Sequence, residues 1–482
     1  MPTILGANTL SGYDVDNSLR FNYDSSDYLN KTLGTATNRK IFTISMWVKR
    51  SELYGVNSET KYLMSAGNNA STNIDEFYFR HDTLDFSGYE SSTTEFQLRT
   101  NQLFRDVSSW YHIVVAYDST QGTASNRIKM YVNGSQITSF STETYPDQNH
   151  EPLFNSNIAH EIGRNTDARK FDGYMTEIVF IDGQALDPTS FGEFDSDSPT
   201  IWKPIDVSGL TFGNNGFYLD FEDSGSLGND KAGSNNFTVN NLTAADQSTD
   251  TCTNNYAVLN PLTIPNGASL TLSEGNLQFN GTSTDAGAKA TFGVSSGKWY
   301  WEVKTKLSDD NSSGSDRILV ATETVRQITS ATDPNSQGIW GIQSRSGSGA
   351  TLNSFTNGTF SNGNSGSTGF NNGTIIGVAL DADNGKLYFH KDGTYTDLSG
   401  NTGDPANGTN PTFTGLPTDG TLLFPYFENR PNVTPSSQVN FGGTQSFSIS
   451  SGNSDGNGYG NFEYSVPSGY YALNTKNLAE YG

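Results

Sequence analysis

The chain has 482 residues, one cysteine (Cys252) and a net charge of −23 at pH 7. A length of this order predicts about two to three domains, and a single cysteine excludes an intramolecular disulfide. The negative charge disfavours binding to nucleic-acid phosphates or to anionic lipid surfaces. Since no apolar run approaches the roughly 20 residues that span a bilayer, we also expect no membrane insertion.

Alternation of apolar and polar side chains predicts β-strands from early in the chain onwards. In residues 41–49, Phe42 and Ile44 fall on one side of an extended segment and Thr43 and Ser45 on the other. A helix would scatter these side chains, whereas a strand places alternate residues on opposite faces. The same alternation recurs in residues 127–132 and 386–390.

The turn-forming dipeptides support this interpretation. Asn-Gly occurs at ten positions and Asp-Gly at five, and both pairs accept the positive φ values of tight hairpins. One helical turn is expected near residues 187–194, where Asp187 can cap the turn and Pro188 can take the first helical position. The predicted fold class is therefore all-β, with two antiparallel β-sandwich or jelly-roll domains.

The strand-rich segments form two blocks, 1–194 and 262–482, joined by a connector at 195–261. The 71 residues 191–261 hold 10 acidic and two basic side chains, the highest density of negative charge in the chain. Such a stretch is either a solvated link or a surface that faces a basic or metal-bearing partner. Because residues such as Phe217 and Tyr218 are apolar enough to pack on a neighbour, we expect an acidic, partly packed connector.

Five segments of the first block resemble the laminin-G-like (concanavalin A-like) jelly roll. They are SLRFNYDSSDYL, FTISMWVKR, WYHIVVAYD, IKMYVNG and IGRNTDARKFDGYMTEIVFIDGQAL. Their order is that of the family, in which a Trp-containing strand, a Trp-Tyr-His strand and a Tyr-Val-Asn-Gly hairpin precede a closing Phe-x-Gly strand. The resemblance implies a sandwich over residues 1–194 but leaves the ligand open, because this fold serves lectins, glycosidases and adhesion modules.

The second block resembles a SPRY domain. The matching segments, in the family's order, are GKWYWEV (297–303), GVALDADNGKLYFHKDG (377–393), LLFPYF (422–427) and VNFG (439–442). The resemblance implies a bent β-sandwich over residues 262–482. Domains of this family bind protein partners, and sometimes other ligands, through rim loops, and they share no catalytic site.

The tandem order of the two blocks resembles virion fibre or surface proteins of marine bacteriophages. That likeness implies a receptor-facing or capsid-decorating role, with other virion proteins as partners and a homotrimer as one assembly by analogy. The start of the chain shows no basic segment followed by a long apolar stretch. We therefore expect no signal peptide, synthesis in the host cytoplasm and a location in the virion.

Motifs for catalysis are weak. A retaining glucanase needs two carboxylates about 5 to 5.5 Å apart, and the nearest candidates, Glu193, Asp195 and Asp197, lie in an expected turn. No Gly-x-Ser-x-Gly elbow precedes a helix, and the five histidines lack zinc-ligand spacing. We assign no catalytic residue and expect no enzymatic activity.

Calcium is the one cofactor that the sequence leaves open. The loops 14–18, 195–198 and 381–385 carry carboxylate and amide oxygens that a hard cation accepts. None of them completes a twelve-residue loop with a terminal Glu, and in 381–385 a hairpin turn explains the same residues. Metal ligands therefore remain unknown.

Candidate ligand-binding residues are Tyr54, Tyr89, Trp340 and Arg345. Aromatic rings near loops can stack on sugar faces, and polar groups can bind hydroxyls; Trp340 has an alternative place in the core. The expected function is that of a non-enzymatic phage virion surface protein that binds a host-surface glycan or protein through loops of its sandwiches. The alternatives are a capsid decoration protein that binds other virion subunits and a glycan-cleaving enzyme.

Overall fold

A computed structural model of the chain divides it into two compact units, Leu10–Asn254 (the N-terminal unit) and Asn255–Gly482 (the C-terminal unit). Most of the expected connector, 195–261, therefore belongs to the N-terminal unit, and the boundary between the units lies within that connector. The residues that the structure describes are 12–53, 60–69, 72–165, 169–265, 270–281, 286–306, 315–325, 337–345, 352–363, 369–430 and 436–482.

Nearly all regular structure in the N-terminal unit is β-strand, as predicted. Short 3-10 turns lie at Ala124–Asn126, Pro188–Ser190 and Ala244–Asp246. The strands are β1 (Ser18–Phe21), β2 (Tyr28–Thr32), β3 (Ile41–Arg50), β4 (Lys61–Asn69), β5 (Asn73–Arg80), β6 (Thr83–Glu90), β7 (Thr93–Leu103), β8 (Tyr111–Asp118), β9 (Ile128–Val132), β10 (Ser135–Gln136), β11 (Phe140–Thr144), β12 (Ala159–Ile162), β13 (Gly173–Asp182), β14 (Gly192–Phe194), β15 (Trp202–Pro204), β16 (Phe217–Leu219), β17 (Thr238–Asn240) and β18 (Gln247–Ser248).

In the described part of this unit, two eight-stranded antiparallel sheets pack face to face. The first sheet has the order β10-β9-β8-β3-β13-β1-β18, with β16 paired to β13, and the second has the order β11-β7-β6-β5-β4-β12-β2-β17. Between them lies a core of aliphatic and aromatic side chains that includes Phe42, Ile44, Phe77 and Phe86. The alternation in residues 41–49 is thus confirmed, with Phe42 and Ile44 facing the core.

Parts of residues 186–254 cover the outward side of the first sheet, called the covered face below, whereas β17 of the same stretch pairs with β2 of the second sheet. Two of their strands join the sheet itself, because β16 pairs with β13 and β18 pairs with β1. The Asp187 side chain accepts a hydrogen bond from the Thr189 amide at the start of the 3-10 turn, as expected. The apolar side chains that meet across this face are Val114, Val179, Ile181, Phe191, Val207 and Tyr218 in one cluster and Trp47, Trp110, Tyr174 and Trp202 in another.

Acidic side chains of the covering segment neutralise bases on the covered face. The Asp250 carboxylate lies 2.6 Å from the Lys49 ammonium and accepts a hydrogen bond from the Trp110 indole at 3.2 Å. Asp246 pairs with Arg20 at 2.9 Å. These two carboxylates are therefore not part of a solvated link, and the bases that they meet belong to the chain's own sheet and not to a separate partner.

The C-terminal unit also consists of two packed sheets. An α-helix, Thr475–Tyr481, and a 3-10 turn, Pro261–Thr263, accompany them. The strands are β19 (Leu270–Ser273), β20 (Gln278–Gly281), β21 (Ala286–Lys289), β22 (Lys298–Lys304), β23 (Ser315–Thr322), β24 (Ile339–Arg345), β25 (Leu352–Thr356), β26 (Thr359–Ser361), β27 (Ile375–Asp381), β28 (Lys386–Lys391), β29 (Thr394–Tyr395), β30 (Phe413–Thr414), β31 (Leu423–Arg430), β32 (Ser437–Asn440) and β33 (Tyr471–Ala472).

The larger sheet of this unit has the order β19-β20-β32-β22-β27-β28-β29, and the smaller has the order β21-β31-β23-β24-β25-β26. Trp299 and Trp301 are buried in the core between the sheets. On the outward side of β22, the Glu302 carboxylate accepts hydrogen bonds from the amides of Glu463 and Tyr464 at 2.9 and 2.8 Å. A later segment of the chain thus packs on one sheet here as well. No helix among the described residues is long and apolar enough to cross a membrane.

Candidate functional site

The outward side of the second sheet in the N-terminal unit is polar, and strand β5 shows why. Its sequence alternates, so that Phe77 and Phe79 enter the core while Glu76 and Tyr78 lie on the other side of the sheet. Side chains on alternate positions of a strand occupy opposite faces. The neighbouring strands carry polar side chains on the same side of the sheet. We call this surface the polar face.

Strand register brings these side chains into two rows. Directly opposite residues on neighbouring antiparallel strands share a face of the sheet. One row runs through Glu161, Ser65, Glu76, Ser87 and Gln97, and the other runs through Tyr62, Tyr78, Asp85 and Arg99.

Glu76 lies at the centre of the polar face and is almost completely buried. Its carboxylate accepts a hydrogen bond from the Asn165 amide at 3.0 Å. The neighbouring rings of Tyr62 and Tyr78 stack with their centroids 4.7 Å apart. Burial disfavours the charged carboxylate and raises the pKa of Glu76 to about 7. This carboxyl group therefore changes its charge near neutral pH.

Asp85 is the second acidic group of the polar face, on the strand next to Glu76. It is completely buried and accepts a hydrogen bond from Arg99 Nε at 2.6 Å. The Gln97 amide donates to both oxygens of this carboxylate at 3.2 Å. Burial raises the pKa of Asp85, while Arg99 and Gln97 oppose that rise. The ion pair thus fixes the Arg99 guanidinium at the sheet surface.

The accessible part of the polar face lies towards β7. Tyr89, Gln97 and Arg99 are each half-buried there. Burial raises the pKa of Tyr89, and the charges of Asp85, Glu76 and Arg99 act on its hydroxyl, which places Tyr89 within their electrostatic reach. An aromatic ring, an amide and a guanidinium at one surface can stack on a sugar ring and hydrogen-bond its hydroxyls.

Of the four candidates from the sequence, Tyr89 belongs to the polar face. Tyr54 lies outside the described residues. Arg345 ends strand β24 of the C-terminal unit, where its backbone pairs with Ser315. The structure thus does not bring the four together, and Tyr89, Trp340 and Arg345 lie on strands instead of the loops that were expected to bind.

Trp340 is a core residue. It is 2% exposed and packs among the core side chains of the C-terminal unit, including Ile342 and Trp301. It also underlies a surface hollow of about 450 Å³ whose other lining residues include Asn357 and Asp419. A ring with so little exposed surface cannot stack on a sugar, so the alternative of a packing role is the correct one.

Two of the three oxygen-rich loops considered for calcium, 195–198 and 381–385, use carboxylate oxygens within the chain. Asp195 accepts hydrogen bonds from the amides of Asp197 and Ser198 and pairs with Lys203 at 3.1 Å. Asp381 accepts from the Asn384 amide and side chain in the β27–β28 hairpin. Among the described residues, no group of three or more His, Cys, Asp or Glu side chains is placed to hold a metal ion.

Sequence reasoning missed Tyr62, Glu76, Tyr78, Asp85 and Arg99. One signal was available in residues 74–80, where Glu76 and Tyr78 alternate with Phe77 and Phe79. The convergence of four strands was not visible, since it depends on register and on the bulge in β4 between Tyr62 and Met64.

Two families match parts of the chain. Residues 16–189 match the model of the concanavalin A-like lectin/glucanases superfamily, and residues 298–461 match the SPRY domain. The chain therefore carries a laminin-G-like, concanavalin A-like domain followed by a SPRY domain, which confirms both predicted folds. No protein of curated function matches the chain in sequence.

Several solved structures are similar to parts of the chain. A heptameric SAP-like pentraxin from Limulus polyphemus is 16% identical over 36% of this chain and 80% of its own, with a TM-score of 0.27. The SPRY domain of human HERC1 is 17% identical over 39% of this chain and 99% of its own, with a TM-score of 0.27. Domains LG4-5 of the mouse laminin alpha1 chain are 9% identical over 91% of both chains, with a TM-score of 0.29. Similarities of this degree identify no ligand.

Proposed function

We propose that this chain, which carries a concanavalin A-like domain and a SPRY domain, is a non-enzymatic glycan-binding protein whose N-terminal unit binds sugar on the polar face. The observation that supports the proposal is the accessible group of Tyr89, Gln97 and Arg99 beside the buried Glu76 and Asp85. The buried carboxylates and their partners hold the accessible donors in place before a ligand arrives. Preorganised donors lower the entropic cost of binding.

A glycan array tests the proposal. The purified full chain is expected to bind a restricted set of glycans, and the Tyr89→Ala variant is expected to lose most of the signal. Tyr131→Ala is a matched control, since Tyr131 is also a half-buried tyrosine but lies on the first sheet. Absence of binding to every glycan on a broad array would contradict the proposal.

A glycan-cleaving enzyme is the second candidate, favoured by one observation. Glu76 and Asp85 are carboxyl groups on adjacent strands of one face, and a carboxyl with a pKa of about 7 suits a general acid. Asp85 is fully buried and paired with Arg99, which disfavours its contact with a substrate. Release of reducing sugar by the wild-type chain and its loss in Glu76→Gln would establish the enzyme and overturn the binding-only proposal.

The further proposal of a virion surface location rests on the sequence resemblance to marine bacteriophage fibre and surface proteins. In that setting the glycan belongs to the host cell surface, and other virion subunits are additional partners. Mass spectrometry of purified particles of the phage that encodes the chain is expected to detect it. Labelled protein is also expected to adsorb to host cells, whereas a capsid decoration protein would be present in particles but would not adsorb.

A further inference from the structure

A cavity of about 370 Å³ opens between the two sheets of the C-terminal unit. It lies where β28 turns into β29, so it marks one end of the sandwich. Both sheets contribute to its apolar lining, the smaller one through β24 and β25 and the larger one through β27 and β28. The apolar lining residues are Ile342, Leu352, Phe370, Ile376 and Phe389.

The mouth of this cavity is polar, and Lys391 is the cation among its described lining residues. Lys391 Nζ donates a hydrogen bond to the Gly369 carbonyl at 2.8 Å, and an ammonium group carries three donors. It can therefore bind a further acceptor without breaking this contact. Asp392, its neighbour, accepts a hydrogen bond from the Ile375 amide at 3.0 Å, which ties that carboxylate to the start of β27.

Two threonines complete the mouth. The Thr412 hydroxyl donates to the Thr396 carbonyl and accepts from the Phe389 amide, both at 3.1 Å. Its hydrogen bonds thus join the mouth to β28, which forms part of the cavity wall. Thr394, on the short strand β29, is exposed and stands at the entrance.

These features describe a site for a particular class of molecule. Ligand pockets commonly have volumes of about 300 to 1,000 Å³, an apolar lining and a few polar groups that fix orientation. We propose that this cavity binds an amphipathic carboxylate, with its aliphatic or aromatic body between the sheets and its carboxylate at Lys391. The site belongs to the C-terminal unit and does not depend on glycan binding by the polar face.

Calorimetric titration of the full chain with decanoate tests the proposal. One molecule is expected to bind per chain, and Lys391→Met is expected to weaken binding at least about fivefold. Decyltrimethylammonium, which has the same tail and the opposite charge, is expected to bind at least about fivefold more weakly than decanoate. Equal binding of the two amphiphiles would overturn the assignment of the carboxylate to Lys391.

Blocking the entrance gives a second test. Thr394→Trp is expected to weaken decanoate binding at least about tenfold, whereas Thr359→Trp, at an exposed threonine of strand β26, is expected to leave it unchanged. Leu352→Phe reduces the cavity from inside and is expected to weaken binding as well, which covers the case in which the entrance variant does not fold. Absence of saturable binding, or equal binding by folded Thr394→Trp and Thr359→Trp, would overturn the proposal.

Discussion

The two outer faces of the N-terminal sandwich differ in what meets them. The covered face carries Lys49, Arg20 and a group of tryptophans, and a later segment of the same chain supplies Asp250, Asp246 and Trp202 to pack there. The polar face has its charges paired within the sheet, as in Asp85 with Arg99.

The difference teaches where this chain uses its negative charge. A buried cation requires a nearby anion, because the cost of removing a charge from water is large unless the charge is paired. On the covered face that anion comes from a segment distant in sequence, so the segment is needed for stability. On the polar face the pairs are local, and Tyr89, Gln97 and Arg99 keep part of their surface accessible beside them.

The largest loss of stability should come from breaking the ion pair between Lys49 and Asp250 on the covered face. Asp250→Ala leaves the fully buried Lys49 without this carboxylate and should lower the free energy of unfolding of the N-terminal unit by about 3 to 5 kcal/mol. Urea denaturation measures the change. Asp197→Ala, at an exposed acid of the same segment, is the control and should cost no more than about 0.5 kcal/mol. Similar losses in the two variants would contradict the account.

The second largest loss of stability should come from replacing Trp202. Its indole packs on the covered face and donates a hydrogen bond to His112 Nδ1 at 2.9 Å. Trp202→Ala should lower the free energy of unfolding by about 3 kcal/mol. Trp202→Phe keeps most of the packing but removes the donor, so about 1 to 2 kcal/mol should be lost. Thermal unfolding separates the two variants, and an equal loss in both would show that the hydrogen bond, and not the ring, dominates.

A smaller effect on stability should come from the titration of Glu76 on the polar face. The pKa of Glu76 is raised from 4.5 to about 7, so this group stabilises the fold below pH 4.5 and loses that contribution as pH rises through 7. His112 and His160 of the same unit contribute the opposite slope, because burial lowers their pKa values to about 3 and 4. The Glu76 contribution is therefore the difference in stability between the wild-type chain and Glu76→Gln, which should move against the wild-type chain as pH rises from 4.5 to 8. Asp75 and Glu177, with pKa values raised by burial to about 8, should keep a decline at higher pH.

Urea midpoints at pH 4.5, 6 and 8 measure this dependence for the wild-type chain and for Glu76→Gln. The exposed Glu143 offers a control, and Glu143→Gln should follow the wild-type curve. A difference between the wild-type and Glu76→Gln midpoints that moves in favour of the wild-type chain from pH 4.5 to 8 would contradict the sign of the proposed effect.

The smallest expected change in stability is at the accessible part of the polar face. Tyr89→Ala removes a half-buried ring outside the main core and should change the free energy of unfolding by about 1 kcal/mol or less. Its effect on ligand binding should be much larger than its effect on folding. Chemical denaturation of the variant beside the wild-type chain checks the first statement, and a loss near that of Asp250→Ala would show that Tyr89 is structural.

Much of the fold followed from local patterns in the sequence. Strand alternation located β3, β9 and β28, and the Asp187-Pro188 pair located a 3-10 turn, because these signals depend on neighbouring residues. The covering role of the acidic segment could not be predicted, since Asp250 and its partner Lys49 lie 201 residues apart. The composition of the segment shows an excess of acidic residues, but it does not show which basic side chain each of them contacts.

The candidate site was predicted less well for a similar reason. Tyr89 was identified as an aromatic residue near a loop, but Arg99 of β7 joins Tyr89 and Asp85 of β6 only through the register of these two strands. Trp340 was named both as a binding candidate and as a core residue, and its burial agrees with the core alternative; the parity of its strand, which decides between the two, could not be fixed from the sequence alone. Long-range pairing thus accounts for most of what the sequence did not show.

The most direct test compares the two faces in binding. Isothermal titration calorimetry with the glycan that the array ranks highest should give the affinity of the wild-type chain, Tyr89→Ala and Tyr131→Ala. We expect Tyr89→Ala to bind at least about tenfold more weakly, a loss of about 1.4 kcal/mol, and Tyr131→Ala to match the wild-type chain. Unchanged affinity in Tyr89→Ala, or a loss confined to Tyr131→Ala, would contradict the assignment of binding to the polar face.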